Sequence, residues 1–213
     1  MSGKIGECPS CEVPDNSGIF PGRYIKVSNS GNSLPDLASL GSGANEWACT
    51  YDSVKRLLWE IKTDDGGMRD RDWSYIWHDP TSLGVVGDEQ NEFYSQNCEL
   101  QDFCNTNNYM KRVNSTNLCG VGNWRIPSLL QLKSLNYCSN TKVLGEECTG
   151  YFQVPTISTE FFPKTKVGEH WTATELEFNP PFAWFVTFKY GYSSGDYKRY
   201  DKPVRLVATG LNF

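Results

Sequence analysis

Alternating apolar and polar positions predict short β-strands toward both ends of the chain. The stretch 22–28 is the one strand-like run in the first 44 residues, and the alternation in 46–63 fits two strands joined by a turn at 52–55. Aromatic residues then predict a strand around 73–77. Near the C-terminus, apolar runs predict three further strands at 170–177, 182–191 and 203–209, with a turn between the last two marked by Gly191, Gly195 and Asp196.

Helical spacing predicts two short helices in the middle of the chain. The first covers 104–114 and is capped by Asn105 or Thr106, whose side chains can accept a bond from a backbone amide of the first turn. Its apolar face contains Tyr109, Met110 and Val113. The second begins after the capping residue Ser128, and the residues expected on its buried side are Leu129, Leu130, Leu132 and Leu135.

This order of strands, helices and strands predicts an α+β domain in which the helices pack against an antiparallel sheet. The first 44 residues are rich in Gly, Ser, Asn and Pro, which is typical of an N-terminal extension or linker. The main domain is therefore expected to cover residues 45–213, a length that suits one domain.

Eight cysteines add covalent constraints to this picture. An even number spread over loops indicates a disulfide framework formed in an oxidising compartment. Zinc is the alternative, but one CxxC is present and both histidines lie far from it in the sequence. Short spacing favours the local pairs 98–104 and 138–148, while exchange with Cys49 or Cys119 stays open. The cysteines are Cys8, Cys11, Cys49, Cys98, Cys104, Cys119, Cys138 and Cys148.

The first residues lack the apolar segment of a secretory signal peptide, so the disulfide interpretation expects that a signal has been removed. The net charge of −5 disfavours nucleic acid as a partner. Residues 1–150 contain 13 basic and 19 acidic side chains, a balance of −6, whereas 151–213 contain 7 and 6, a balance of +1. A local basic patch near the C-terminus is compatible with this distribution. No apolar run in the sequence is long enough to cross a membrane, and membrane insertion is not expected.

Common catalytic motifs are missing from the sequence, so we expect a protein that is not an enzyme and has neither a cofactor nor a catalytic metal. The zinc motif HExxH and Gly-rich phosphate loops do not occur. The two histidines, His78 and His170, are expected to serve in packing or on the surface. Four aspartates in the loop 64–72 do not match the spacing of an EF-hand, so a solvated acidic loop is predicted, with a structural calcium as the alternative.

Basic residues and tyrosines are interleaved in the segment 189–205. This pattern is typical of surfaces that bind sulfated polysaccharides, because lysine and arginine pair with sulfate groups while tyrosine rings pack on sugar rings. The alternative is a solvated hairpin in which Arg205 is buried for structural reasons. The predicted glycan-binding residues are Lys189, Lys198, Arg199, Lys202, Tyr192 and Tyr197.

An ordered set of motifs extends over roughly 45–208. It contains WAC at 47–49, LLWE at 57–60, KTDDGGMRD at 62–70, LCGVGNWRIPS at 118–128, HWT at 170–172 and PVRLV at 203–207. This set resembles the Lcl C-terminal domain family, the C-terminal module of the Legionella collagen-like adhesin. The turn at 124–127 is also similar to a turn of C-type-lectin-like domains. The resemblance therefore implies a C-type-lectin-like fold, with antiparallel strands, two short helices and long disulfide-tied loops.

The same resemblance implies a secreted or cell-surface bacterial adhesin domain that supports attachment to host cells or biofilm. Its implied partners are sulfated glycosaminoglycans such as heparin, and a collagen-like stalk would make it a homotrimer because that helix contains three chains. The second hypothesis is a protein-binding or structural surface module with the same fold and no glycan site. Salt-dependent retention on heparin separates the two hypotheses.

Overall fold

The structure is a computed structural model that describes residues 22–82, 97–99, 104–138, 144–145 and 147–210. Within these residues, short strands alternate with long loops, and two helices lie in the middle of the chain, which confirms the predicted α+β class. The strands are β1 (Tyr24–Ser28), β2 (Trp47–Asp52), β3 (Leu57–Glu60), β4 (Tyr75–Ile76), β5 (Glu169–Glu175), β6 (Phe182–Thr187), β7 (Ser193–Tyr197), β8 (Asp201–Lys202) and β9 (Val207–Ala208), and the helices are α1 (Thr106–Ser115) and α2 (Leu129–Lys133).

The larger sheet is antiparallel, with the order β1-β2-β3-β9. β2 and β3 confirm the two strands predicted in 46–63, and all their residues are buried. β1 confirms the strand predicted at 22–28 and pairs with β2, so the predicted N-terminal extension contributes one strand to this sheet. β9 adds the last strand from the far end of the chain, where Val207 lies opposite Trp59. The sheet therefore joins both ends of the described chain.

The second sheet has the order β5-β6-β7. Its strand β7 lies within the segment 189–205, in which basic residues and tyrosines are interleaved. β7 is a correction, because Gly195 and Asp196 were expected in a turn and instead lie in this strand, opposite Trp184 and Ala183. A Cβ at Gly195 would come within 2.7 Å of the end of the Leu176 side chain, which would have to shift to admit it. The turn itself lies before β7 and uses Gly191, whose φ of +75° favours glycine.

Both helices begin at the predicted caps. The Asn105 side chain accepts a hydrogen bond from the Asn108 amide, and Ser128 and Gln131 form a reciprocal capping box at the start of α2. Leu132 and Leu135 are buried as predicted. Leu130 is a correction, because it is 78% exposed. α2 is a short helix of five residues. Leu132 lies on the side that faces the core, and Leu130 lies on the opposite side, toward solvent.

Disulfides and aromatic residues hold the middle of the chain against the larger sheet. Three bridges are present among the described residues: Cys49–Cys119, Cys98–Cys104 and Cys138–Cys148. They confirm the two local pairs, while Cys8 and Cys11 lie outside the described residues.

Trp124 is 1% exposed and donates its indole N–H to the Leu118 carbonyl at 3.1 Å. The Asn114 side chain binds both the amide and the carbonyl of Trp124, at 2.7 and 2.9 Å.

The core contains a buried polar network that the sequence patterns did not predict. The Glu60 carboxylate accepts hydrogen bonds from Tyr109 and from the Leu206 amide, and Lys62 lies 3.2 Å away. Arg205 is fully buried and donates to the Glu60 carbonyl at 2.5 Å and to the Thr165 hydroxyl at 2.7 Å. Arg205 is therefore a structural residue, as the hairpin alternative expected.

In the described part of the chain, no helix has the length and apolar character needed to span a lipid bilayer.

Candidate functional site

The six residues predicted to bind glycans do not form one exposed patch. Lys189 and Tyr192 lie at one end of β7, and Tyr197 and Arg199 lie at the other. Tyr192 and Tyr197 are five residues apart, and an extended chain separates them by about 16 Å. The remaining two, Lys198 and Lys202, have buried side chains. The predicted site therefore divides into two exposed clusters and two buried lysines.

Lys198 is a correction, since the prediction required an exposed ammonium group. The residue is 0% exposed, and its Nζ atom bonds the Ser82 hydroxyl at 3.0 Å and forms an ion pair with Glu175. The ammonium group also lies 4.2 Å from the centre of the Trp77 ring. These contacts fix Lys198 in the protein and leave it no surface for a polyanion.

Lys202 is a second correction, and its burial has a similar cause. It is 5% exposed, and its Nζ atom pairs with the carboxylates of Glu169 and Asp196. The same atom lies 5.0 Å from the centre of the Trp171 ring and 4.8 Å from that of Phe185. Two carboxylates around one ammonium group neutralise its charge, so Lys202 adds no net attraction for an anionic ligand.

An open groove of about 560 Å³ lies beside the first exposed cluster. Tyr190 and Tyr192 stand on its edge with their rings 6.1 Å apart and inclined by only 7°. Both are substantially exposed, at 45% and 37%. The groove is lined by Ser74, Asn97, Lys166, Gly168, Glu169, Thr187, Lys189, Tyr190, Tyr192, Asp201, Lys202 and Pro203. It thus combines flat aromatic faces with hydroxyl, amide, amino and carboxylate groups.

Lys189 supplies the accessible positive charge of this groove. Its side chain is exposed, and its Nζ atom lies 5.0 Å from the centre of the Tyr190 ring. No carboxylate of the described residues lies within ion-pair distance of it, whereas Lys166 has Asp72 at 3.7 Å. Interaction with the Tyr190 hydroxyl raises the pKa of Lys189 above its ordinary value, so this lysine is charged at neutral pH.

Tyr190 and Lys166 line the groove but were not among the predicted site residues. Tyr190 lies in the interleaved segment, and its parallel stacking on Tyr192 depends on the turn geometry at Gly191. Lys166 lies 23 positions before Lys189 in the sequence, so no local pattern connects them. The interleaved pattern could therefore have identified Tyr190 as a site residue, whereas no pattern in the sequence identifies Lys166.

The second exposed cluster consists of Tyr197, Arg199 and Tyr200. The Arg199 guanidinium lies 5.0 Å from the centre of the Tyr197 ring and 5.5 Å from that of Tyr200. Tyr197 also packs on Phe182, with ring centres 4.0 Å apart. The cluster presents aromatic and cationic groups but does not line the groove.

The acidic loop is organised mainly by its own backbone. Asp70 accepts hydrogen bonds from the amides of Asp65, Gly66 and Asp72 at 2.7–2.8 Å. Burial acts to raise the pKa of Asp70, but these backbone bonds lower it below the ordinary value. Carboxylate oxygens of three aspartates lie within 4.8 Å of one another, and two of these aspartates pair with nearby cations: Asp64 with Arg71 and Lys164, and Asp72 with Lys166.

The two histidines differ in environment. His170 is 1% exposed, contacts Phe188 with ring centres 4.9 Å apart, and has its Nδ1 atom 3.3 Å from the Gly168 carbonyl oxygen. Burial, followed by the charge of Arg205, lowers the pKa of His170 to about 3. It is a neutral packing residue. His78 is half-buried, and its backbone amide and carbonyl both bind the Thr106 hydroxyl.

Comparison with known protein families identifies one match. Residues 48–208 match the model of the Lcl C-terminal domain, so the chain belongs to this family. No curated protein and no solved structure matches the chain. Membership in the family indicates an adhesin-like domain with an extracellular or surface location. The C-type-lectin-like fold stays a prediction.

Proposed function

We propose that this chain is a non-enzymatic adhesin domain that binds a surface glycan through the groove beside Tyr190 and Tyr192. The observation that supports the proposal is the stacked, exposed tyrosine pair next to Lys189. Sugar rings pack their apolar faces on aromatic rings, and the polar groups of the groove can bond sugar hydroxyls. The proposed fold type is the C-type-lectin-like fold implied by the resemblance.

A sulfated glycosaminoglycan of the heparin type is the proposed ligand class. Lys189 is positioned to bind a sulfate at the tyrosine edge, and Arg199 offers a second cationic point on the far side of β7. The groove itself is only weakly positive, because Lys202 is neutralised and the whole chain carries −5. We therefore expect modest affinity per domain, falling with salt.

Several copies would strengthen this binding. A homotrimer on a collagen-like stalk would place three weak sites on one polysaccharide and raise the effective concentration of the second and third contacts. This assembly would suit attachment to host cells or biofilm. It follows from the family resemblance and is part of the proposal.

The alternative is a protein-binding surface module. Exposed tyrosines and arginines are common in protein interfaces, and the second cluster has both. The two functions differ in their response to a pure polysaccharide, which a protein-binding module would not retain.

Heparin affinity chromatography and titration with heparin oligosaccharides test the proposal. We expect the wild type to bind at low salt, and we expect Tyr190→Ala combined with Tyr192→Ala, or Lys189→Ala alone, to weaken binding several-fold. Lys55→Ala is the matched control, because Lys55 is an exposed lysine in the β2–β3 turn and away from the groove. Equal binding by the groove variants and the wild type would reject the groove as the site. Loss only in Arg199→Ala would move the site to the second cluster.

A further inference from the structure

A second cavity, independent of the tyrosine groove, lies between the first turns of α1 and the segment 125–128. Its volume is about 380 Å³, which is within the range of small-molecule sites, about 300–1,000 Å³. Its apolar wall includes Pro80, Met110 and Ile126. It shares no lining residue with the tyrosine groove.

Two polar side chains of the cavity wall, Arg125 and Asn107, can donate hydrogen bonds to a ligand. Arg125 lines it, and no carboxylate in the described part of the chain lies within ion-pair distance of its guanidinium. Asn107 lines it as well, is 8% exposed, and makes no side-chain hydrogen bond with any described residue. The Asn107 amide is therefore available to bond water or a polar group of a ligand in the cavity.

Arg125 is held in place by its neighbours. Its backbone amide and carbonyl pair with Val207 at 2.9 Å, and its Nη1 atom donates to the Gln131 side chain at 2.7 Å. Because Gln131 is itself fixed by the capping box at Ser128, the guanidinium is oriented before any ligand arrives. Burial lowers the pKa of Arg125, which is consistent with a partly desolvated cation.

The one acidic group of the cavity wall has its own partners. The Asp79 carboxylate accepts hydrogen bonds from the amide and the hydroxyl of Thr81 at 2.8 and 2.7 Å. These bonds lower the pKa of Asp79 despite the opposing effect of its burial. Asp79 is therefore ionised at neutral pH and opposes an anion placed next to it, so a ligand acceptor is expected on the side of the cavity where the Arg125 guanidinium and the Asn107 amide lie.

We propose that this cavity binds a carboxylate carried on a small apolar body, with Arg125 and Asn107 contacting the carboxylate and Met110 and Ile126 contacting the body. A planar carboxylate matches the guanidinium fork, and burial beside apolar side chains strengthens such a charge-assisted bond. Two sources share this chemistry, a free branched-chain acid and the C-terminal carboxylate of a peptide that ends in an apolar residue.

The test uses two pairs of probes and the folded protein labelled for NMR. The first pair is 4-methylpentanoate and 4-methylpentanamide, and the second is acetyl-Gly-Leu with a free or an amidated C-terminus. We expect the acids to shift the Asn107 side-chain and Arg125 Nε signals at millimolar concentration, and each amide to bind at least tenfold more weakly. Response to the free acid alone, or to the peptide alone, identifies the source.

Variants separate this site from general effects on folding. Arg125→Gln is expected to weaken binding of the acids about tenfold or more. Lys111→Gln is the control, since Lys111 is an exposed basic residue of α1, the helix that contains Asn107, and does not line the cavity. If Arg125→Gln does not fold, Asn107→Ala and Arg125→Lys are measured instead and should weaken the acids more than the amides. No shift at Asn107 or Arg125 with either acid, or equal affinity for acid and amide, overturns the proposal. Heparin binding is measured separately on the same samples.

Discussion

Lys198 and Glu175 form an ion pair in which the ammonium group is buried and lies above the Trp77 ring. The Glu175 side chain is 36% exposed, so the pair links the interior to the surface of the second sheet. A lysine that looks like part of an exposed basic patch in the sequence is therefore a structural residue that anchors β5 to the segment after β7.

Replacing Lys198 by alanine is expected to lower the free energy of unfolding. The change leaves Glu175 with the Ser82 hydroxyl but without its cationic partner, and it removes the cation from the Trp77 ring. We expect a cost of about 1–3 kcal/mol because the carboxylate keeps part of its hydration. Urea unfolding followed by tryptophan fluorescence measures it. Lys189→Ala is the control, with an expected change within about 0.5 kcal/mol because its side chain is exposed. A neutral effect of Lys198→Ala would contradict the structural role.

Local pattern and spacing located much of this fold. The strands β2 and β3 could be located because a short turn joins two apolar runs, and Asn105 and Ser128 cap helices as their chemistry predicts. The burial of Lys198 and Lys202 was not predictable in this way, because it depends on Glu175, Glu169 and three aromatic rings distant in sequence. The same holds for the groove, since Lys166 and Tyr190 meet only after β5 and β6 pair.

The Cys49–Cys119 disulfide is expected to stabilise the domain more than Cys98–Cys104. It closes a loop with a sequence separation of 70, compared with 6 for the shorter bridge. Chain-entropy arguments predict a cost of about 4 kcal/mol for replacing the long-range pair by alanines and about 2 kcal/mol for the local pair. Denaturant unfolding of the two double variants measures the difference. A larger loss for the local pair would contradict this ranking, and non-reducing mass spectrometry of the wild type checks that both bridges form.

Trp124 is expected to be a core residue and not a ligand platform. Its indole is almost fully buried and bonds the Leu118 carbonyl, so Trp124→Ala should lower the free energy of unfolding by about 3–5 kcal/mol. Leu130→Ala is the control on the neighbouring helix, with an expected change within about 0.5 kcal/mol because Leu130 is 78% exposed. Thermal and urea unfolding test both variants. An unchanged melting temperature for Trp124→Ala would show that the ring is accessible.

His170 is expected to make the domain less stable in mild acid. Its pKa falls from an ordinary 6.5 to about 3 in the folded state, chiefly because burial disfavours the charged ring. Below pH 6.5 the unfolded chain therefore binds a proton that the folded chain does not, and the free energy of unfolding decreases as the pH falls toward 3. Between pH 7 and pH 4.5 this linkage amounts to about 2–3 kcal/mol. The Asp70 pKa lies below its ordinary 3.8, so its contribution is lost only at lower pH.

Urea unfolding at pH 7 and pH 4.5 isolates the His170 contribution. His170→Gln keeps an amide that can donate to the Gly168 carbonyl but removes the titrating ring, so this variant should lose less stability between the two pH values than the wild type. Trp124→Phe serves as the control, because it destabilises the core while His170 is unchanged, and it should show the wild-type pH dependence at a lower overall stability. If His170→Gln has the same pH dependence as the wild type, the acid sensitivity arises from another group, and His170 is not held neutral by burial as the structure indicates.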